Sequence, residues 1–456
     1  MEIIEILDQI PKYKEFRTIA ELDNSSKKLG EEFDSVELKE IGRSRNGRPI
    51  YCLKIGEGKE NALLFGFPHP NEPIGSISLE FLSLFLAKNP EFTKETGYTW
   101  YLIKAIDIDG AILNEGWFKG EFDPLKYSKN YFRCAPFDQV EWSFPINYKK
   151  LKWEKPLPET KALINLINKL KPKFMYSLHN ALGFGGVYFY VTSEVGNLCS
   201  DLSNFVRKEG LPLHLGEPET AFIKPLSEAI FQNAGAQEQY DFLEANGITE
   251  PQGAIRTGTS SWDYLKRVSD KENFTLVCEM PYFYHHSIED TSFTKLERRN
   301  LLLQSLEYRK NVSKRSKKYF RHIKKLCDSS TLIFRAVEDF SKRSTTWLDF
   351  SINEIKNSPT YDGKATVAQA FDSNVSTRFY CLTDVSMIAR LYEEVISNHP
   401  ENEAQLKNTK DELEKWIEKE IKELFKDINY EIIPIQKLVR IQIGSAFITL
   451  KNLSTN

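Results

Sequence analysis

Five short β-rich apolar runs, at residues 62–67, 99–107, 173–179, 186–192 and 274–281, alternate with stretches of helical spacing, and that alternation commits the chain to an α/β sheet. Two of the runs lead into a histidine. Ala62-Leu63-Leu64-Phe65 reads as a buried strand, Gly66-Phe67-Pro68-His69-Pro70-Asn71-Glu72-Pro73 can continue neither strand nor helix, and residues 74–86 then take helical spacing. Residues 173–178 form a second apolar run, followed at once by His179 and the loop 180–183. Ligands gather at the carboxyl ends of strands in open α/β sheets, so His69 and His179 can converge from distant parts of the chain.

A catalytic zinc takes three protein ligands, commonly two His and one Glu, with the fourth position left for water. His69 and Glu72 supply a local pair. By itself such a pair is more often a solvated loop feature, and its strand-end setting is what raises its interest. Of the seven His, His179 is the foremost candidate for the third ligand. His285 and His286 rank second, because they follow an aromatic run with no evident partner, and His322 and His399 read as ordinary surface residues. Glu279 interrupts the apolar run 274–281, a costly placement unless the carboxylate is paired or functional, which makes it a candidate general base. A buried acid held by an arginine is the competing reading.

These landmarks resemble the zinc carboxypeptidases of the funnelin type. His69-Pro70-Asn71-Glu72 is followed about a hundred residues later by His179 and about a hundred after that by Glu279. Gly258-Thr259-Ser260-Ser261-Trp262-Asp263-Tyr264 is similar to the segment those enzymes carry upstream of their catalytic glutamate, and residues 41–50 resemble the family's opening hairpin. The resemblance spans residues 35–290 and implies a mixed, twisted eight-stranded sheet flanked by helices. It further implies one zinc held by His69, Glu72 and His179, Glu279 as base and acid, and Arg133 as the cation facing the developing oxyanion. Zinc acidifies its water toward about pKa 7, and a carboxylate that takes the proton can pass it to the leaving amine.

Two departures bear on specificity. The family's Asn-Arg pair before Phe-Pro, which grips a substrate carboxylate, is replaced here by Gln139-Val140-Glu141-Trp142-Ser143 before Phe144-Pro145. Glu141 disfavours a C-terminal carboxylate and favours a basic group, unless it is a structural acid paired within the fold. Where many members place a mobile tyrosine, this chain has Gly253-Ala254-Ile255-Arg256-Thr257. Arg256 can supply the carboxylate grip from another direction, since a guanidinium matches a carboxylate in bidentate fashion; a surface arginine is the alternative. Arg133, Glu141, Trp142 and Arg256 are thus the candidate substrate-binding residues.

The 456 residues exceed one ordinary core. The character changes near residue 290, from strands and helices to helices alone, which suggests a catalytic domain over 1–295 and a mainly helical domain over 296–456. There, residues 412–425 form an amphipathic pattern, residues 310–325 a basic run, and residues 438–443 a strand-like run. With 61 basic against 64 acidic residues the net charge is −3, which argues against nucleic acid as a partner. No apolar run reaches the roughly eighteen residues of a membrane span. The acids within the first ten residues do not suit a secretory signal, and six scattered Cys argue against a disulfide framework, so the expected location is cytoplasmic.

The expected activity is zinc-dependent hydrolysis of a peptide or amide bond, near a C-terminal carboxylate, in a peptide, modified peptide or cell-wall fragment. The alternatives are an N-acyl-amino-acid hydrolase resembling aspartoacylases and desuccinylases, or a catalytically silent zinc module that binds peptide. The sequence leaves the oligomeric state open.

Overall fold

A computed structural model describes residues 1–181, 183–342 and 345–454. Leu182, in the loop expected after His179, lies outside the described residues. The strands are β1 (Val36–Arg43), β2 (Pro49–Ile55), β3 (Glu60–Phe65), β4 (Tyr98–Ile103), β5 (Phe174–Leu178), β6 (Tyr188–Val191), β7 (Pro225–Ser227), β8 (Ile230–Gln232) and β9 (Phe274–Glu279). They form one sheet in the order β1-β2-β4-β3-β5-β9-β6-β8-β7. Its centre, from β4 through β3 and β5 to β9, is parallel; β1, β2 and β4 pair antiparallel at one side, and β6 runs antiparallel to β9 at the other. The sheet is the mixed one expected, with nine strands in place of eight. Its far edge is the β7–β8 hairpin, whose three-residue strands are too short to show a period.

Every residue of β5 and β9 is buried, as their mainly apolar runs require for strands covered on both faces. Helix α1 (Ile74–Lys88) packs on β2, β3, β4 and β5, α2 (Pro158–Leu170) packs on β1, and α3 (Leu198–Lys208) follows β6. Further helices include α4 (Arg298–Ile323), α5 (Leu332–Lys342), α6 (Thr377–Asn398), α7 (Glu403–Phe425) and α8 (Ile435–Ser454). Around α6 pack α4, α5 and α7. The amphipathic pattern at 412–425 lies in α7, which buries Leu413, Ile417 and Ile421. Part of the basic run on α4 is used internally: the Arg315 guanidinium sits 4.0 Å from the Trp416 ring centroid, and Lys324 pairs with Glu338 at 2.9 Å.

Residues 438–443, expected as a strand, are helical and lie in α8. That helix packs against α1, α3, β5 and β9 and buries Leu438, Val439, Ile441, Gln442 and Ile443 in succession. A helix enclosed on several sides loses its polar stripe, and a short window of it is indistinguishable from a buried strand. The chain thus leaves the sheet after β9, builds the α4–α7 bundle, and returns to the sheet with α8. One apolar cluster runs from the sheet into the bundle across residue 295. Among the described residues no helix is long and apolar enough to cross a membrane.

Candidate metal centre and active site

The site begins where β3 ends. Gly66 lets the strand end approach α1, since a Cβ there would stand 2.7 Å from the Ser76 amide nitrogen and 2.8 Å from the Lys104 carbonyl. Phe67 then adopts φ +52, a left-handed conformation that an L side chain takes only under constraint, and its fully buried ring stacks on Phe118. This sharp turn carries His69 and Glu72 over the carboxyl end of the sheet, and α1 starts immediately afterwards at Ile74. His179 follows β5, and Glu279 closes β9, the next strand in the sheet.

These four side chains meet. One ligand atom from each of His69, Glu72 and His179 lies within 4.8 Å of the others, and all three residues are buried. His179 Nδ1 is 3.1 Å from Glu72 Oε2 and 3.7 Å from Glu279 Oε1. The His69 and His179 rings are edge to face, with centroids 5.0 Å apart. His69 Nδ1 and Glu72 Oε2 have no hydrogen-bond partner among the described residues, although both are buried. Leaving two such atoms without a partner is costly unless a cation sits between them. Two imidazoles and one carboxylate are also the donor set of a catalytic zinc, so the residues present fit the metal.

The electrostatics point the same way. Burial, with help from Arg133 and His179, holds His69 neutral and well below the usual histidine range, as a ligand requires. Burial also opposes a charge on His179, but the Glu72 and Glu279 carboxylates overcome it and raise the imidazole to about 9 when no cation intervenes. Glu279 is pushed up to about 8 by burial and then by Glu72 and Glu219, against the pull of His179.

Against this geometry, residues 24–207 match the sequence profile of the zinc carboxypeptidases. The matched stretch is less than half of the chain. Bovine thrombin-activatable fibrinolysis inhibitor is similar at 14% identity, with 59% of this chain and 87% of that chain covered and a TM-score of 0.36. Carboxypeptidase A of Helicoverpa armigera is similar at 13% identity, with 61% and 71% covered and a TM-score of 0.39. Among curated proteins none matches significantly.

Around the His69, Glu72 and His179 group, Arg133 donates from Nη1 to Glu72 Oε1 at 2.7 Å and to Asn71 Oδ1 at 3.2 Å. It therefore orients a metal ligand and keeps Nη2 for a further acceptor, the Gln139 Oε1 at 3.5 Å being only a long contact. Glu141 is buried and accepts from the Ser261 amide at 2.8 Å, the Ser261 hydroxyl at 2.7 Å and the Ser177 hydroxyl at 3.4 Å. Its carboxylate is thus satisfied inside the fold. Trp142 is half-buried, and its carbonyl accepts from the Gly258 amide. Arg256 is 47% exposed and pairs with Asp339 of α5 at 2.9 Å. His285 caps a short helical turn, and His286 is exposed; neither joins the metal group. His322 is exposed, as expected, with its Nδ1 2.9 Å from the Tyr392 hydroxyl.

Sequence reading passed over Gln442. Buried in α8, it donates to the His179 carbonyl at 2.9 Å and accepts from Ser78 at 3.0 Å. Its one signal is a polar residue amid Val439, Ile441 and Ile443.

Proposed function

We propose that His69, Glu72 and His179 hold one zinc per chain and that Glu279 is the general base and acid in hydrolysis of a peptide or amide bond near a substrate's free carboxylate. The observation that carries this reading is the 3.1 Å and 3.7 Å approach of His179 Nδ1 to Glu72 and Glu279. When bound, zinc supplies Lewis-acid polarisation of a carbonyl and makes water acidic enough to deprotonate near neutral pH.

The protein's own groups do the rest. Glu279, buried and held above the ordinary carboxylate range, is suited to accept a proton from water and return it to the leaving amine. Arg133 holds Glu72 through Nη1 and presents its remaining donors toward the charge that develops on the carbonyl oxygen. Arg256 is the proposed grip for the substrate's carboxylate, exchanging Asp339 for it. Glu141 and Trp142 then act on specificity by supporting the 258–261 segment from behind the site.

The test pairs metal analysis with turnover. Purified protein should contain one zinc per chain and hydrolyse a peptide library, and His179→Ala should lose both properties. Full zinc occupancy in that variant would overturn the ligand set.

A further inference from the structure

A cavity of about 620 Å³ lies beside β6, a strand that pairs with β9, and part of its wall belongs to the helical bundle. From the sheet side it is lined by Ala181, Tyr188 and Phe231, and from α4 by Leu302 and Leu306. Ala181 lies two residues beyond His179. Tyr188 stands opposite Glu279 in the β6–β9 register, so the two side chains share a face of the sheet. The cavity therefore borders the strand ends that carry His179 and Glu279, and α4 contributes part of its wall.

Its charges are mostly matched. Glu217 is paired with Arg298 and Glu228 with Arg207, while Asp372 lies 3.8 Å from His214. Glu219, exposed like Arg309, has no ion pair among the described residues. It is fixed by the Tyr190 hydroxyl at 2.7 Å, and Tyr190 follows Tyr188 on the same face of β6. Arg309, the other lining charge without an ion pair among the described residues, is solvent-exposed on α4.

A mostly apolar chamber of this size takes a whole bulky residue, and an ionised carboxylate at its edge accepts hydrogen bonds but donates none. We propose that this cavity is a substrate subsite for a bulky apolar residue bearing a positively charged amine, with the ammonium directed at Glu219. The proposal rests on the peptidase reading above. The amine is either the free α-amino group of a short peptide or the end of a lysine-like side chain, and the experiment separates the two.

Binding is measured by calorimetry on zinc-loaded Glu279→Gln protein. Phe-Ala is compared with N-acetyl-Phe-Ala, and N-acetyl-Lys-Ala with N-acetyl-norleucyl-Ala. In at least one pair the ammonium-bearing probe should bind at least about tenfold more tightly, and Glu219→Gln should abolish that margin, as loss of a charged hydrogen bond predicts. Arg309→Gln should preserve it. Leu306→Trp, which fills the chamber from α4, should weaken the preferred bulky probe at least about tenfold while leaving its glycine counterpart within about twofold. No margin in either pair, or a margin that survives Glu219→Gln, overturns the subsite. Wild-type protein that hydrolyses a peptide library without such a margin removes the subsite alone, whereas failure to hydrolyse any peptide removes the peptidase reading with it.

Discussion

Arg256 Nη2 stands 2.9 Å from Asp339 Oδ1, so the proposed grip for a substrate carboxylate is already occupied by a carboxylate from α5. A substrate must therefore displace Asp339. The arginine side is half-open to solvent, but Asp339 is 3% exposed, so releasing it takes this partner from a buried carboxylate. The substrate carboxylate must offset that cost. Asp339→Asn should lower KM for a free-acid substrate and leave KM for its C-terminal amide unchanged. Arg256→Ala should remove the preference for the acid, costing about 2 to 5 kcal/mol in kcat/KM if the grip is desolvated in the complex. Equal behaviour of acid and amide in wild type would assign Arg256 to docking α5 only.

Glu279→Gln keeps the size and burial of the side chain but removes its proton chemistry. Zinc content and the unfolding midpoint should stay near wild type while kcat falls at least about a hundredfold. Turnover within about threefold of wild type would return Glu279 to a buried structural acid.

Zinc uptake should depend on pH through His179. With no cation present this imidazole keeps its proton up to about 9, and a ligand imidazole must be neutral, so each zinc bound near pH 7 should release a proton. Affinity should then rise about tenfold per pH unit and level off near 9. In the metal-free protein the sign for stability is opposite. The raised value gives a contribution complete below the unfolded histidine range, near 6.5, and lost as pH climbs through about 9. Calorimetry in two buffers of different ionisation enthalpy measures the released proton, and a value near zero at pH 7 would show that His179 is neutral beforehand.

His69, Glu72, His179 and Glu279 were legible because each lies at a strand end that its own short apolar neighbourhood defines. What the sequence hid depends on contacts between distant segments. Asp339 meets Arg256 only once α5 has docked, and Glu219 becomes notable only when α4 has closed a chamber beside Tyr188. Glu141 looked like a substrate-facing charge, because nothing local reveals that Ser177 and Ser261 enclose it. The misread segment 438–443 has the same origin: its apolar run is set by burial in α8 against the sheet, not by strand pairing.

That return of the chain has a consequence for the metal centre. Gln442 of α8 ties the carbonyl of ligand His179 to Ser78 of α1, and all these groups are buried. Gln442→Leu preserves volume but leaves the His179 carbonyl and the Ser78 hydroxyl without their partner. Buried polar groups deprived of a partner cost about 1 to 3 kcal/mol each, so the variant should lose roughly that much stability in urea. Because the lost bond also fixes the strand end that carries His179, zinc affinity should fall about ten- to a hundredfold, the range for removing a support of a metal ligand. Gln442→Glu tests the two effects separately: it can still accept from Ser78 but, when ionised, cannot donate to the carbonyl. If zinc affinity in both variants equals that of wild type while stability drops, α8 serves the fold and has no part in placing His179.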